Sequence, residues 1–247
     1  MSEVITHAPE AVLNRLIVDK RAFDVEGKQM DVTGAITMAE AHYIHDSIIE
    51  HEFSSCLETG VAYGASTIAI CSALSQLESK GKPVKHYGID PWQGPLFRYA
   101  AIAALKECGL DHIFELCDGP SHLMLPRLIE SNVKVDFVFI DGMHTLDYTL
   151  VDLFFADKLL RPGGMICMHD MHLPSKKRAF RYLTQHRKYQ RLPGLKKKPA
   201  HRVMGALKET LKSSPKSGWD QLTASEPMLV LRKVEDFEPA WDFYARI

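Results

Sequence analysis

The chain has 247 residues, 46% hydrophobic and 25% charged, with a net charge of -1, so it can bury a substantial core without disulfide or metal support. No apolar run nears the ~18 residues that span a bilayer, and the amino terminus lacks a basic start followed by an apolar stretch. Five cysteines without CxxC or zinc spacing suit a reducing compartment, and the expectation is a cytoplasmic protein with no membrane span.

In chain order, Met38, Ala41, Ile44 and Ile48 recur at helical spacing, so 38–51 reads as an amphipathic helix after an N-terminal extension, 1–37. "SSCLETG" reads as a strand ending at Glu58, followed by a loop with Gly60 and Gly64 and a helix over 67–79 that Ser66 can cap. Strands "VKHYGID", "HIFELCD" and "VDFVFID" alternate with helices near 96–108, 121–130 and 147–160, and "RPGG" turns the chain into a fifth strand, "MICMHD". Near-continuous apolar strands separated by helices predict an α/β fold, doubly wound, its sheet mostly parallel and covered on both faces.

After Asp170 the pattern loosens. Residues 176–212 hold 13 of the 30 Lys and Arg and one acid, Glu209. That segment reads as a solvated face, as a positive flap for an anionic substrate, a nucleic acid or a membrane surface, or as the subunit contact of a homodimer. Its few aromatics and the lack of a nucleic-acid-binding signature argue against nucleic acid as partner. Residues 194–226 read as an insertion before a last strand, "MLVLRKV" (228–234), within one domain over 1–247.

Ligands of open parallel sheets lie beyond the carboxyl ends of the strands. Five such ends carry a polar residue: Glu58, Asp90, Asp118, Asp141 and His169-Asp170. Gly60 and Gly64 let backbone approach a ligand at a helix start. The loop lacks the G-x-G-x-x-G of a dinucleotide site, and Asp90 sits where a carboxylate accepts from ribose hydroxyls, so adenosine without pyrophosphate is favoured.

"LETGVAYGAS", "YGIDPWQG", "CDGPSH", "FVFIDGMHTLDY" and "LLRPGGMICMHD" resemble, in order and spacing, the class I S-adenosylmethionine-dependent methyltransferases. The resemblance is to the macrocin O-methyltransferase and cephalosporin hydroxylase-like branch, and it runs over about 38–174 and resumes at "MLVLRKV". It implies a Rossmann-like, seven-stranded sheet with an antiparallel last strand. Glu58, Gly60, Gly64 and Ser66 would surround the methionine part of S-adenosylmethionine, and Asp90 its ribose. Asp118, Gly119 and Ser121 would lie near the adenine, with Trp92 stacking on it or walling it.

The resemblance further implies that Asp141, His169 and Asp170 hold Mg2+ or Mn2+. His144, three residues after Asp141, takes the place of a catechol-type lysine base, with His169 as the other candidate base. The reaction expected is O-methylation of a small-molecule or glycosidic hydroxyl. The alternatives are a metal-independent enzyme with a His base, a binding module without turnover, or an NAD-linked reductase.

Overall fold

The computed structural model describes residues 9–195 and 228–244. Seven strands form one sheet, β3 (Ser55–Thr59), β4 (Lys85–Ile89), β5 (Phe114–Cys117), β6 (Val135–Ile140), β7 (Leu160–Met168), β8 (Tyr189–Leu192) and β9 (Leu229–Lys233). Their spatial order is β5-β4-β3-β6-β7-β9-β8. β3 to β7 pair in parallel, and β9 runs antiparallel to both β7 and β8. The winding direction reverses between β3 and β6, which leaves a crevice at their carboxyl ends.

Alternation along β6 feeds both faces of the sheet. Phe137 and Phe139 join one buried cluster with α1 (Pro9–Ile17), α2 (Met38–Glu50), α3 (Ala65–Glu78) and α4 (Ala100–Cys108). Val138 and Ile140 join the other with α5 (Ser121–Glu130), α6 (Leu146–Leu159) and α7 (Pro174–His186). α3 is buried nearly all round, which explains its even apolar content. The N-terminal extension adds a hairpin of β1 (Arg21–Phe23) and β2 (Gln29–Asp31), which the sequence reading left without structure. All five cysteines are free.

Several boundaries differ from expectation. α3 starts at Ala65 behind a left-handed Gly64, with no side-chain cap, so Ser66 lies inside the helix. α4 starts only at Ala100, because Arg98 and Tyr99 hold positive φ and a helix cannot run through them. "RPGG" is an excursion within β7, across which pairing jumps from Val135↔Leu160 to Phe137↔Met165. β8 was not anticipated, since its residues YQRL carry no alternating apolar pattern. The insertion expected over 194–226 lies outside the described residues, apart from Gly194 and Leu195. Among the described residues, no helix is long and apolar enough to cross a membrane.

Candidate active site

The crevice between β3 and β6 is built on Gly60. At φ +89 it turns the chain out of the sheet, and its N–H donates to the Ile89 carbonyl at 2.9 Å. A Cβ here would press on the Asp141 carbonyl oxygen and lie 2.7 Å from that carbonyl's carbon and 2.9 Å from Gly142 N. Only glycine lets the two strand-end loops touch. Beside them lies a cleft, open to solvent, lined by Thr33 to Ile36, Gly60 to Tyr63, Ala65, Ser66 and Asp141. The wall at 33–36 comes from the N-terminal extension, and sequence reasoning missed it.

Two of the expected cofactor carboxylates are turned inward. Glu58 is 0% exposed and accepts from Ser66 Oγ at 2.6 Å, Thr67 Oγ1 at 2.5 Å and His86 Nε2 at 2.9 Å. It ties α3 to β3 and β4 from beneath the loop and does not face the cleft. Asp90 is 3% exposed. Its Oδ2 accepts from Val61 N at 3.1 Å, Ala62 N at 2.8 Å and Gln93 Nε2 at 3.1 Å, and its Oδ1 from Trp92 N at 2.8 Å. Asp90 therefore shapes the glycine loop first and keeps accepting capacity only on Oδ1.

The expected adenine group lies around β5. Tyr99 Oη donates to Asp118 Oδ2 at 3.3 Å, and Trp92 is half exposed. Ser121 is buried at the first position of α5. These residues do not line the cleft beside Gly60.

At the other end of the crevice stand the imidazoles. His169 Nδ1 lies 3.0 Å from Asp141 Oδ1, and its Nε2 lies 3.4 Å from Glu40 Oε1. Burial lowers the affinity of His169 for its proton, but Asp141, Glu40 and Asp170 outweigh it, so its pKa stands well above the ordinary imidazole value. Both ring nitrogens of His169 face carboxylates of this chain. Glu40 is at once the third residue of a capping box with Thr37 at the start of α2. His169 and the Thr37 backbone hold it below the usual carboxylate range, although burial pushes the other way. The T-x-x-E signal was readable in the sequence; that its acid also meets His169 was not.

His144 Nε2 lies 3.3 Å from Asp170 Oδ2, and its side chain is 50% exposed. Among the described residues, Asp141, His144 and Asp170 are the group whose ligand atoms all fall within 4.8 Å of one another. Two carboxylates and an imidazole at that separation fit a divalent ion. Burial pushes the Asp141 carboxyl up, and the charges of His169 and Lys176 work against it.

Sheet order and the crevice at its switch point define the Rossmann-like methyltransferase fold. Residues 57–171 match a family model described as "Methyltransferase domain". Among solved structures, the chain is similar to the O-methyltransferase TomG from Streptomyces achromogenes in complex with SAM, at 18% identity and TM-score 0.59, covering 81% of this chain and 82% of that one. It is also similar to an O-methyltransferase from Bacillus cereus in complex with SAH (14%, TM-score 0.60, covering 81% and 83%). A third, cofactor-bound Rv0187 from MTB, covers 95% of this chain and 94% of its own (14%, TM-score 0.63). A search of curated proteins found no match.

Proposed function

We propose that this chain is an S-adenosylmethionine-dependent O-methyltransferase acting on a small-molecule or sugar hydroxyl, as in the macrocin branch. One observation carries the reading: the glycine-loop cleft and the carboxylate–imidazole group share Asp141, so a ligand in the first abuts the chemistry of the second. The cofactor's methionine part lies along 60–66 and 33–36, and its ribose reaches Asp90 Oδ1. Its adenine lies toward Trp92, Asp118 and Gly119.

Methyl transfer needs the acceptor hydroxyl to shed its proton near neutral pH. Asp141 and Asp170 would hold Mg2+ or Mn2+, whose charge would lower the hydroxyl's pKa. His144 stands half exposed beside them and takes the proton, with Asp170 orienting the ring. His169 and Glu40 fix the rotamer of Asp141. In a second reading His144 is itself a ligand, favoured by its place in the 4.8 Å group. Mn2+ affinity separates the two, because His144→Ala weakens it only in the second.

The test of the whole is calorimetry with S-adenosylhomocysteine against NAD, followed by methyl transfer from labelled S-adenosylmethionine to a panel of hydroxyl acceptors. Binding of NAD in preference to S-adenosylhomocysteine would overturn the proposal in favour of a reductase.

A further inference from the structure

Arg98 and Tyr99 hold positive φ, 48° and 57°, directly before α4. Consecutive non-glycine residues in the left-handed region persist only where their surroundings hold them there. The loop they close, 90–99, carries Asp90 and Trp92. Its inner side is tied to the glycine loop, because Gln93 Nε2 donates to the Ala62 carbonyl at 2.7 Å and Phe97 packs edge-on against Tyr63 with centroids 5.0 Å apart. Tyr99 N donates to the Gln93 carbonyl at 2.8 Å, and its hydroxyl reaches Asp118.

Arg98 turns the other way, toward the N-terminal hairpin. Its Nη2 lies 2.6 Å from Asp24 Oδ2 and 3.5 Å from Glu26 Oε2. Asp24 stands at the turn between β1 and β2 with its side chain 1% exposed, and its Oδ1 accepts from the Glu26 and Lys28 N–H groups at 2.9 Å each. Oδ2 has no aligned hydrogen bond, so the guanidinium charge of Arg98 is what compensates its burial. The same extension continues into 33–36, the wall of the cleft.

We propose that Asp24 and Arg98 form a clasp through which the N-terminal hairpin sets cofactor affinity, with Arg98 a positioning residue that holds the 90–99 loop in its strained shape. The inference rests on the reading of that loop and the glycine-loop cleft as the S-adenosylmethionine site. Without the pair, the left-handed backbone at 98 and 99 relaxes, and Trp92 and Tyr99 move with it. A ligand must then select a loop shape that is less populated, and its apparent affinity falls by that fraction.

The experiment compares full-length wild type with Asp24→Asn, Arg98→Ala, Arg98→Lys and the Asp24→Asn, Arg98→Ala double variant, by titration calorimetry with S-adenosylhomocysteine and by melting. Asp24→Asn keeps an oxygen for the Glu26 and Lys28 N–H groups and sets an amide against Arg98, so the turn survives and the clasp is lost. It and Arg98→Ala should each weaken S-adenosylhomocysteine binding about tenfold. The double variant should lose no more than either single one, and Arg98→Lys should stay near wild type. Arg15→Gln is the control, since Arg15 joins the same extension to α4 through two bonds to Glu107, at 2.6 and 2.5 Å. Its loss should lower Tm and leave affinity unchanged.

Wild-type affinity in folded Asp24→Asn and Arg98→Ala, with wild type binding normally, overturns the clasp alone. An equal loss of affinity in Arg15→Gln also overturns it, because any loosening of the extension would then suffice. Clasp variants that stay unfolded even in saturating S-adenosylhomocysteine overturn it too, since a ligand that selects the clasped loop should rescue them. No binding by wild type overturns the cofactor site and the inference together.

Discussion

Gly60→Ala tests the contact on which the site is built, and Gly81→Ala supplies its control. Both glycines have nearly the same positive φ, +89 and +83, but Gly81 has nothing within 4 Å of a built Cβ, whereas Gly60 faces the backbone of Asp141 and Gly142. A non-glycine residue in the left-handed region costs ~1–2 kcal/mol, and this is the whole expected cost at Gly81. At Gly60 the overlap is with backbone, which cannot rotate away, and overpacking adds ~1–3 kcal/mol. With ~2–4 °C lost per kcal/mol in a protein of this size, Gly81→Ala should lower Tm by about 2–8 °C and Gly60→Ala by about 4–20 °C. The Gly60 variant should also lose S-adenosylhomocysteine affinity by ~10-fold or more, since the shift moves both cleft walls, while the Gly81 variant keeps it. Scanning calorimetry and titration calorimetry read the two effects. Equal losses of Tm, with affinity unchanged in both variants, would refute the reasoning.

Asp90→Ala removes the acceptor of the Val61 and Ala62 N–H groups, charge-assisted bonds worth ~1.5–3 kcal/mol each, so S-adenosylhomocysteine binding should weaken by tens-fold or more in titration calorimetry. Chelation, or Asp141→Asn, should abolish methyl transfer and leave cofactor binding nearly intact, as equilibrium dialysis alongside a turnover assay would show. His144→Ala should lower kcat by ~10²- to 10⁴-fold in the same turnover assay. His169 has its pKa raised by folding, so its contribution to stability is complete below the ordinary imidazole pKa and is lost as pH rises through the higher folded value. Wild-type Tm should therefore fall with pH over that window, and His169→Gln should remove the slope. Neutralising Lys196, Lys197 and Lys198, which lie outside the described residues, should alter acceptor KM or, if they serve a homodimer, the mass by light scattering.

The parallel strands were legible because each is a short apolar run closed by a turn signal, and "VDFVFID" even shows which residues alternate between faces. The acids at the strand ends were legible as a set. Their directions were not, because Glu58 and Asp90 differ from surface acids only through donors brought by Thr67, His86, Val61 and Ala62, far apart in sequence. β8 was missed because YQRL owes its strand conformation to pairing with β9. Lys176 sits in a run of basic residues that reads as solvated; only the helix phase set by Pro174 and the packing of α7 on the sheet bury it. His169 showed the same limit: the spacing to Asp141 offered a ligand, and Glu40, more than a hundred residues earlier, faces its other ring nitrogen.

The measurement that bears most directly on the central claim is a crystal structure with S-adenosylhomocysteine and Mn2+ soaked in, with anomalous data collected at the manganese edge. The account predicts the ligand's sulfur in the cleft between Gly60 and Asp141, and one anomalous peak within coordination distance of Asp141 and Asp170. A ligand bound elsewhere, or a soaked crystal with no ordered ligand in that cleft, would contradict it.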